Sequence, residues 1–209
     1  DALARFFGAL PVKEYDFIMY FVDQRSANTG DGSYGALEHS YGYFYFIPEI
    51  DNGSQLRSII TDISSHEFLH ILTPLNIHSE EIENFDFRDP DMSKHLWLYE
   101  GVTEYFAHLV QVQAGLIDEY EFMEVMSMKI EYASEYDDVS FTKMSDKILK
   151  KKYNEMYGNV YEKGALLAFL LDIRIRELTG HKKSLRSVLM ELSERYGPSK
   201  PFQDDAIIG

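Results

Sequence analysis

The chain has 209 residues, no cysteine and a formal net charge of −15, which arises from 20 basic and 35 acidic residues. This balance argues against nucleic acid or an anionic membrane as the main partner, and no apolar run is long enough for a membrane-spanning helix. Without cysteine, disulfides and thiolate metal sites are excluded, so a bound metal would need His, Asp or Glu ligands.

The first part of the chain is predicted to be rich in β-structure. Residues 15–23 and 43–48 are β-branched or aromatic runs bounded by turn residues, which is typical of strands. Between them, residues 26–35 are rich in Gly, Asn, Ser and Asp and are predicted to be a loop. We expect residues 1–53 to be the β-rich portion of a single domain that spans residues 1–209.

Helices are predicted from about Ser54 onwards. The apolar residues of 59–69 recur at helical spacing, and Pro74 ends this first helix. The predicted fold is therefore α+β and mainly helical, with its helical portion at residues 54–200. Four further helices are predicted at residues 92–114, 117–135, 159–179 and 183–196.

Acidic residues are concentrated in one part of the helical portion. Residues 100–140 contain ten Asp or Glu and one lysine. Such a stretch would attract cationic ligands weakly, and the simpler interpretation is that the charge keeps the protein in solution. The absence of cysteine is compatible with a cytoplasmic and with an exported protein alike, and the sequence decides neither the compartment nor the oligomeric state.

A metal-binding pattern lies within the first predicted helix, where residues 66–70 read His-Glu-Phe-Leu-His. His66 and His70 are four residues apart and share a helix face, so both imidazoles can reach one ion at about 2.0–2.1 Å. Glu67 is close enough to take a proton from water without being a ligand. The pattern predicts one catalytic zinc ion, with Glu67 as general base.

A catalytic zinc usually has three protein ligands and one open position, so a third ligand is needed. The metzincin spacing fails, because Thr73 and Asn76 occupy the required positions. His78 and Glu80 follow the turn at Pro74 and are weaker candidates.

Stronger candidates lie on the helix predicted at residues 92–114. Glu100 and Glu104 are one turn apart, on a face that is otherwise aromatic and apolar. A carboxylate in such surroundings needs a partner, because burying it alone is costly. We predict that Glu100 is the third zinc ligand and that Glu104 orients a ligand histidine by hydrogen bonding.

The motif at residues 66–70, followed by Leu-Trp-Leu-Tyr-Glu-Gly at 96–101, resembles the gluzincin metallopeptidases, which are related to aminopeptidase N and thermolysin. It is similar in particular to the glycyl aminopeptidases that commonly carry a PDZ domain. Residues 35–39 (Gly-Ala-Leu-Glu-His) and 161–164 (Tyr-Glu-Lys-Gly) resemble two further segments of that family. Two departures are Ala36 in place of a glycine and Leu72-Thr73 where the family often has Trp-Asn.

The resemblance implies a thermolysin-like zincin catalytic domain, with the family's N-terminal β domain and PDZ domain outside this chain. It implies a peptide substrate with a free N-terminus and the removal of small residues such as glycine. Glu38 would bind the substrate amine, and Tyr161 would donate a hydrogen bond to the oxyanion. The simpler alternatives are an ordinary strand-edge glutamate and an aromatic packing stripe formed by Tyr153, Tyr157 and Tyr161.

Two other functions remain open. A zinc endopeptidase would have the same metal site but no amine-binding role for Glu38. An inactive, zinc-stabilised peptide-binding module would not need Glu67, which catalysis requires. The remaining histidines are predicted to be surface or packing residues: His39, His78, His95 and His108.

Overall fold

A computed structural model describes residues 2–23, 35–39, 42–86 and 88–207 of the chain, with residues 35–39 described by their backbone. The fold is α+β and mainly helical, as predicted. A short helix α1 (Ala2–Phe7) precedes three strands, β1 (Asp16–Val22), β2 (Gly35–His39) and β3 (Gly42–Pro48). The helical elements then follow in the order α2 (Gly53–Leu69), α3 (Glu80–Glu83), a π-helical turn (Trp97–Gly101), α4 (Val102–Ala114), α5 (Glu119–Ala133), α6 (Phe141–Asp146), α7 (Lys151–Asn154), α8 (Asn159–Thr179), α9 (Leu185–Arg195) and a 3-10 turn (Asp204–Ala206).

The three strands form one small sheet in the order β1-β3-β2, in which β1 runs parallel and β2 antiparallel to β3. Successive side chains of β3 point to opposite faces, as in any strand. Tyr43, Tyr45 and Ile47 are buried and pack with apolar residues of α2, whereas Phe44 is exposed. The sheet is thereby fixed to the helix that carries the histidine pair. Strand β2 was not predicted, and the predicted loop at 26–35 lies outside the described residues except for Gly35.

Local capping explains where the main helices begin and end. The side chain of Asn52 accepts hydrogen bonds from the backbone of Ser54 (3.1 Å) and Gln55 (3.2 Å), which starts α2. Gly115 and Gly180 adopt left-handed φ angles of 69° and 57° directly after α4 and α8. The helices predicted at 117–135 and 159–179 agree closely with α5 and α8.

The helix predicted to begin at residue 92 instead begins with the π-helical turn at Trp97, so its predicted start is wrong. The preceding segment is anchored elsewhere. Ser93 Oγ donates to Asp204 Oδ1 at 2.8 Å, and the backbone N–H of Lys94 donates to the same carboxylate at 3.0 Å. These bonds hold the segment against the 3-10 turn, a distant contact that helical periodicity cannot reveal.

The main core lies among the helices, where the π-helical turn and α4 pack against α8. The two backbones approach most closely at Gly101 and Gly164. A Cβ atom on Gly101 would lie 2.5 Å from Gly164 Cα, so neither position has room for a side chain. Within the described ranges, no helix combines the length and apolarity needed to cross a membrane.

Candidate metal centre

His66 lies in the last turn of α2 and His70 is the C-cap residue that follows it, on the side that packs against α4. Their spacing of four residues places them on one helix face. His66 and His70 are only 7% and 5% exposed, and their rings meet edge to face with centroids 4.8 Å apart. The pair is therefore buried and close together at the C-terminal end of α2.

The outer ring nitrogen of each histidine has a hydrogen-bond acceptor. His66 Nδ1 donates to Glu104 Oε2 at 2.8 Å, and His70 Nδ1 donates to the backbone carbonyl of Thr73 at 3.0 Å. Such bonds fix the ring orientation and tautomer of a metal-ligating histidine. Both Nε2 atoms face Glu100.

Glu100 meets both of these Nε2 atoms from the π-helical turn. Its Oε2 lies 3.1 Å from His66 Nε2 and 3.6 Å from His70 Nε2. Three ligands of a tetrahedral zinc ion, each about 2.0–2.2 Å from the metal, lie about 3.3–3.6 Å from one another. The 3.6 Å separation from His70 falls within this range, and the 3.1 Å separation from His66, a direct hydrogen bond in this structure, is slightly shorter. Single π-helical turns occur frequently at functional sites.

Glu67 provides a second carboxylate beside the histidines. Its Oε2 lies 3.9 Å from His70 Nε2, and potential ligand atoms of His66, Glu67 and His70 lie within 4.8 Å of one another. By distance alone, Glu67 or Glu100 could complete a metal site with the two histidines. We refer to His66, Glu67, His70 and Glu100 as the histidine–carboxylate cluster.

The electrostatic environment favours a cation in this cluster. Burial raises the pKa of Glu100 and of Glu104, but the neighbouring histidines outweigh it and hold both pKa values below their usual range. Burial lowers the pKa of His66, yet hydrogen bonds and charge from Glu100 and Glu104 outweigh it and raise that pKa to about 10. The two carboxylates are thus ionised at neutral pH, and one positive charge is already favoured between them.

Glu104 lies at the centre of a wider hydrogen-bond network. In addition to His66, it accepts from His108 Nε2 at 3.2 Å and from Lys129 Nζ at 2.8 Å, both through Oε1. Lys129 also lies 3.5 Å from Glu162 Oε2. Sequence reasoning assigned no role to Lys129 and treated His108 as a surface or packing residue. The available signals were the single lysine of the acidic stretch and the one-turn spacing of His108 from Glu104.

Tyr161, at the beginning of α8, reaches the same cluster. Its ring centroid lies 5.7 Å from that of His66, and its hydroxyl donates to the hydroxyl of Tyr157 at 3.4 Å. Burial and the charge of Glu100 raise the pKa of Tyr161, so this phenol keeps its proton and can act as a donor. Tyr157 was not selected from the sequence, although its position one turn before Tyr161 was visible there.

The other predicted residues lie apart from the histidine–carboxylate cluster, or their side chains are outside the described part of the chain. The backbone of Glu38 lies in β2 opposite Tyr43, but its side chain is outside the part of the chain that the structure describes. His78 Nε2 pairs with Glu83 Oε2 at 2.8 Å, and Glu80 lines a separate acidic cavity. Neither weaker candidate for the third ligand is therefore brought to the histidine pair.

Comparison with solved structures shows which fold this is. The chain superposes on a crystal structure described as the aminopeptidase N family protein from Idiomarina loihiensis, with a TM-score of 0.80 and 22% sequence identity. The match covers 99% of this chain and 37% of that chain, so this chain spans little more than a third of its length. At this identity the likeness is one of fold. A search of curated proteins found no match.

The sequence places the chain in a class of peptidases. A family model described as M61 glycyl aminopeptidase matches residues 60–167, just over half of the chain. The chain belongs to this family. The matched range includes the histidine–carboxylate cluster, Glu104, Lys129 and Tyr161.

Proposed function

We propose that this chain is the catalytic domain of a zinc-dependent aminopeptidase with a thermolysin-like zincin site. One zinc ion would be held by His66 Nε2, His70 Nε2 and the carboxylate of Glu100. The observation that carries the proposal is the convergence of one Glu100 oxygen on both Nε2 atoms, at 3.1 and 3.6 Å. When bound, zinc supplies Lewis acidity that polarises a peptide carbonyl and lowers the pKa of water.

Glu100 is preferred over Glu67 as the third ligand for a geometric reason. Its Oε2 is close to both histidines, whereas Glu67 Oε2 lies 3.9 Å from His70 Nε2. A ligand pair around one tetrahedral ion should be closer than that, about 3.3–3.6 Å apart. Glu67 is therefore proposed to lie beside the metal without binding it.

Glu67 is proposed as the general base and then the general acid. Its carboxylate would accept a proton from the attacking water and deliver it to the nitrogen of the leaving amine. Its position on α2 supports this role, because the helix fixes it next to His66 and within 3.9 Å of His70. A carboxylate at that distance can reach a water beside the ion while leaving the ligand positions to its neighbours.

Tyr161 is proposed to stabilise the negative charge that develops on the carbonyl oxygen. Its phenol stays protonated because burial and Glu100 raise its pKa, so it remains a hydrogen-bond donor. Its ring is adjacent to His66, on the helix that packs against the π-helical turn. In the structure the Tyr161 hydroxyl donates to Tyr157 at 3.4 Å, so on substrate binding it would turn this proton from Tyr157 to the oxyanion.

The substrate is proposed to be a peptide with a free N-terminus, from which a small residue such as glycine is removed. Glu38 would pair with the terminal ammonium group. Two features support this part of the proposal: membership of the glycyl aminopeptidase family, and the place of Glu38 on β2 at one edge of the sheet, next to β3. A carboxylate on a strand is held more rigidly than one on a loop, as recognition of a single ammonium group requires.

The test compares two peptides of identical sequence, one with a free N-terminal glycine and one acetylated. Cleavage is measured for the protein as purified, after chelation and after zinc is restored, and zinc content is measured for the same samples. We expect one zinc per chain, loss and recovery of cleavage with the metal, and no cleavage of the acetylated peptide. Equal cleavage of both peptides would replace the aminopeptidase with an endopeptidase, and absence of zinc binding would overturn the whole proposal.

A further inference from the structure

A buried lysine, Lys129, lies behind the proposed zinc site and contacts none of its ligands directly in the described structure. It is 7% exposed and extends from α5 to Glu104 of α4, with a separation of 2.8 Å between Nζ and Oε1. It is also the single lysine of residues 100–140, a stretch that contains ten acidic residues. Burying an ammonium group is costly unless it is paired, so its place here calls for a reason.

Lys129 is connected to the metal site through one intermediate residue. Glu104 uses Oε1 to accept from Lys129 and Oε2 to accept from His66 Nδ1, at 2.8 Å in each case. A carboxylate that is held at both oxygens has little freedom to rotate. The orientation of His66, and with it the direction of Nε2, therefore depends on a carboxylate that Lys129 holds.

The lysine also joins a third helix to this arrangement. Its Nζ lies 3.5 Å from Glu162 Oε2, and Glu162 immediately follows Tyr161 in α8. One ammonium group thus lies between a carboxylate of α4 and a carboxylate of α8, and it offsets the repulsion between them. A packed apolar side chain at residue 129 could fill the same space, but it could not hold either carboxylate.

We propose that Lys129 is a positioning residue for the metal site: it fixes the Glu104 carboxylate, which in turn fixes His66 for the zinc ion. This inference rests on the proposed function, because it requires that His66 is a zinc ligand. Partners of ligating histidines typically contribute about 10–100-fold to metal affinity or activity. Lys129 acts one step further out, so we expect roughly a tenfold effect on zinc affinity.

The test is a double-mutant cycle on zinc affinity, measured by competition with a chelator of known strength. The variants are Lys129→Met, Glu104→Gln and the double variant, with Lys182→Met as the matched removal of an exposed lysine. We expect Lys129→Met to weaken zinc binding roughly tenfold and Lys182→Met to leave it unchanged. Adding Lys129→Met to Glu104→Gln should produce little further loss, because the lysine acts through that carboxylate.

Two additional measurements separate positioning from a general structural role. The visible spectrum of the cobalt-substituted protein reports the geometry around the metal, and it should change in Lys129→Met and return in Lys129→Arg. Circular dichroism of the metal-free variants checks that they are folded. If Lys129→Met does not fold, Lys129→Met/Glu162→Gln, which also removes an unpaired carboxylate, takes its place in the cycle.

The outcomes also distinguish this inference from the proposed function. Failure of the wild-type protein to bind zinc would overturn both. Normal zinc binding by the wild type, together with unchanged affinity and an unchanged cobalt spectrum in Lys129→Met, would overturn the role of Lys129 alone. A loss that persists in full in the Glu104→Gln background would show that the lysine acts by another route.

Discussion

The close contact between Gly101 and Gly164 allows a sharp prediction about the alignment of the proposed site. Gly101 directly follows Glu100, and Gly164 lies three residues after Tyr161. A Cβ atom added to Gly101 would lie 2.5 Å from Gly164 Cα, 2.6 Å from Gly164 C and 2.9 Å from the carbonyl oxygen of Val160. All three atoms belong to the backbone of α8, so no side-chain rotation can relieve the clash.

The size of the effect follows from these distances. Carbon atoms in contact prefer about 3.5–4.0 Å, so the two helices would have to separate by roughly 1 Å. Overpacking typically costs about 1–3 kcal/mol, and we expect Gly101→Ala to fall near 3 kcal/mol because backbone must move. For a domain of this size, that corresponds to a lower melting temperature by roughly 6–12 °C. Displacing Glu100 from Tyr161 by about 1 Å should reduce kcat/KM by about 100-fold.

The assay combines thermal unfolding of the metal-free protein with zinc affinity and kcat/KM for a glycyl peptide. Gly164→Ala should behave like Gly101→Ala, since its Cβ would lie 2.8 Å from Gly101 Cα. Gly53→Ala is the matched control, because a Cβ there has nothing within 4 Å. The reasoning is refuted if Gly101→Ala and Gly164→Ala unfold and bind zinc as the wild type does.

Three further predictions concern single side chains. Glu67→Gln should keep zinc at wild-type affinity while kcat falls by about 10²–10⁴-fold, as measured by metal analysis and peptide hydrolysis, and normal turnover would eliminate Glu67 as the base. Tyr161→Phe should lower kcat by about 10²–10³-fold with little change in KM or melting temperature; an unchanged kcat would remove its proposed role. Asp172→Ala should reduce the free energy of unfolding by about 2 kcal/mol or more without altering zinc affinity, because the buried carboxylate accepts from Tyr105 Oη at 2.8 Å and from the backbone of Leu185 at 2.6 Å. Unfolding in denaturant that matches the wild type would contradict this last expectation.

Much of the fold could be predicted because its signals are local. The capping box of Asp118 and Glu121, together with Gly115 and Gly180, marks helix ends in the sequence itself, and α5 and α8 lie where periodicity placed them. Strand β2 carried a weaker signal, because five residues that pair only with β3 have little periodicity of their own. The π-helical turn was missed because its start depends on Asp204, more than a hundred residues away.

The candidate site shows the same division. His66 and His70 share a helix face by spacing alone, so their proximity follows from the sequence. The approach of Glu100 to the histidines depends on how separate helices pack. The order of the motifs suggested this approach, but helical periodicity gives no distance between two helices. The place of Lys129 was not predictable, because its partners lie 25 residues before it and 33 after it on other helices. A single lysine in an acidic stretch indicates that it pairs with a carboxylate, but the sequence does not identify which one.

The central claim is that two helices bring His66, His70 and Glu100 to one divalent ion. A crystal structure of the zinc-loaded protein, with anomalous scattering recorded at the zinc edge, tests this claim most directly. We predict a single strong peak about 2.0–2.2 Å from both Nε2 atoms and from a Glu100 oxygen, with Glu67 outside bonding distance. A peak elsewhere, or a Glu100 side chain directed away from the paired histidines, would contradict the account.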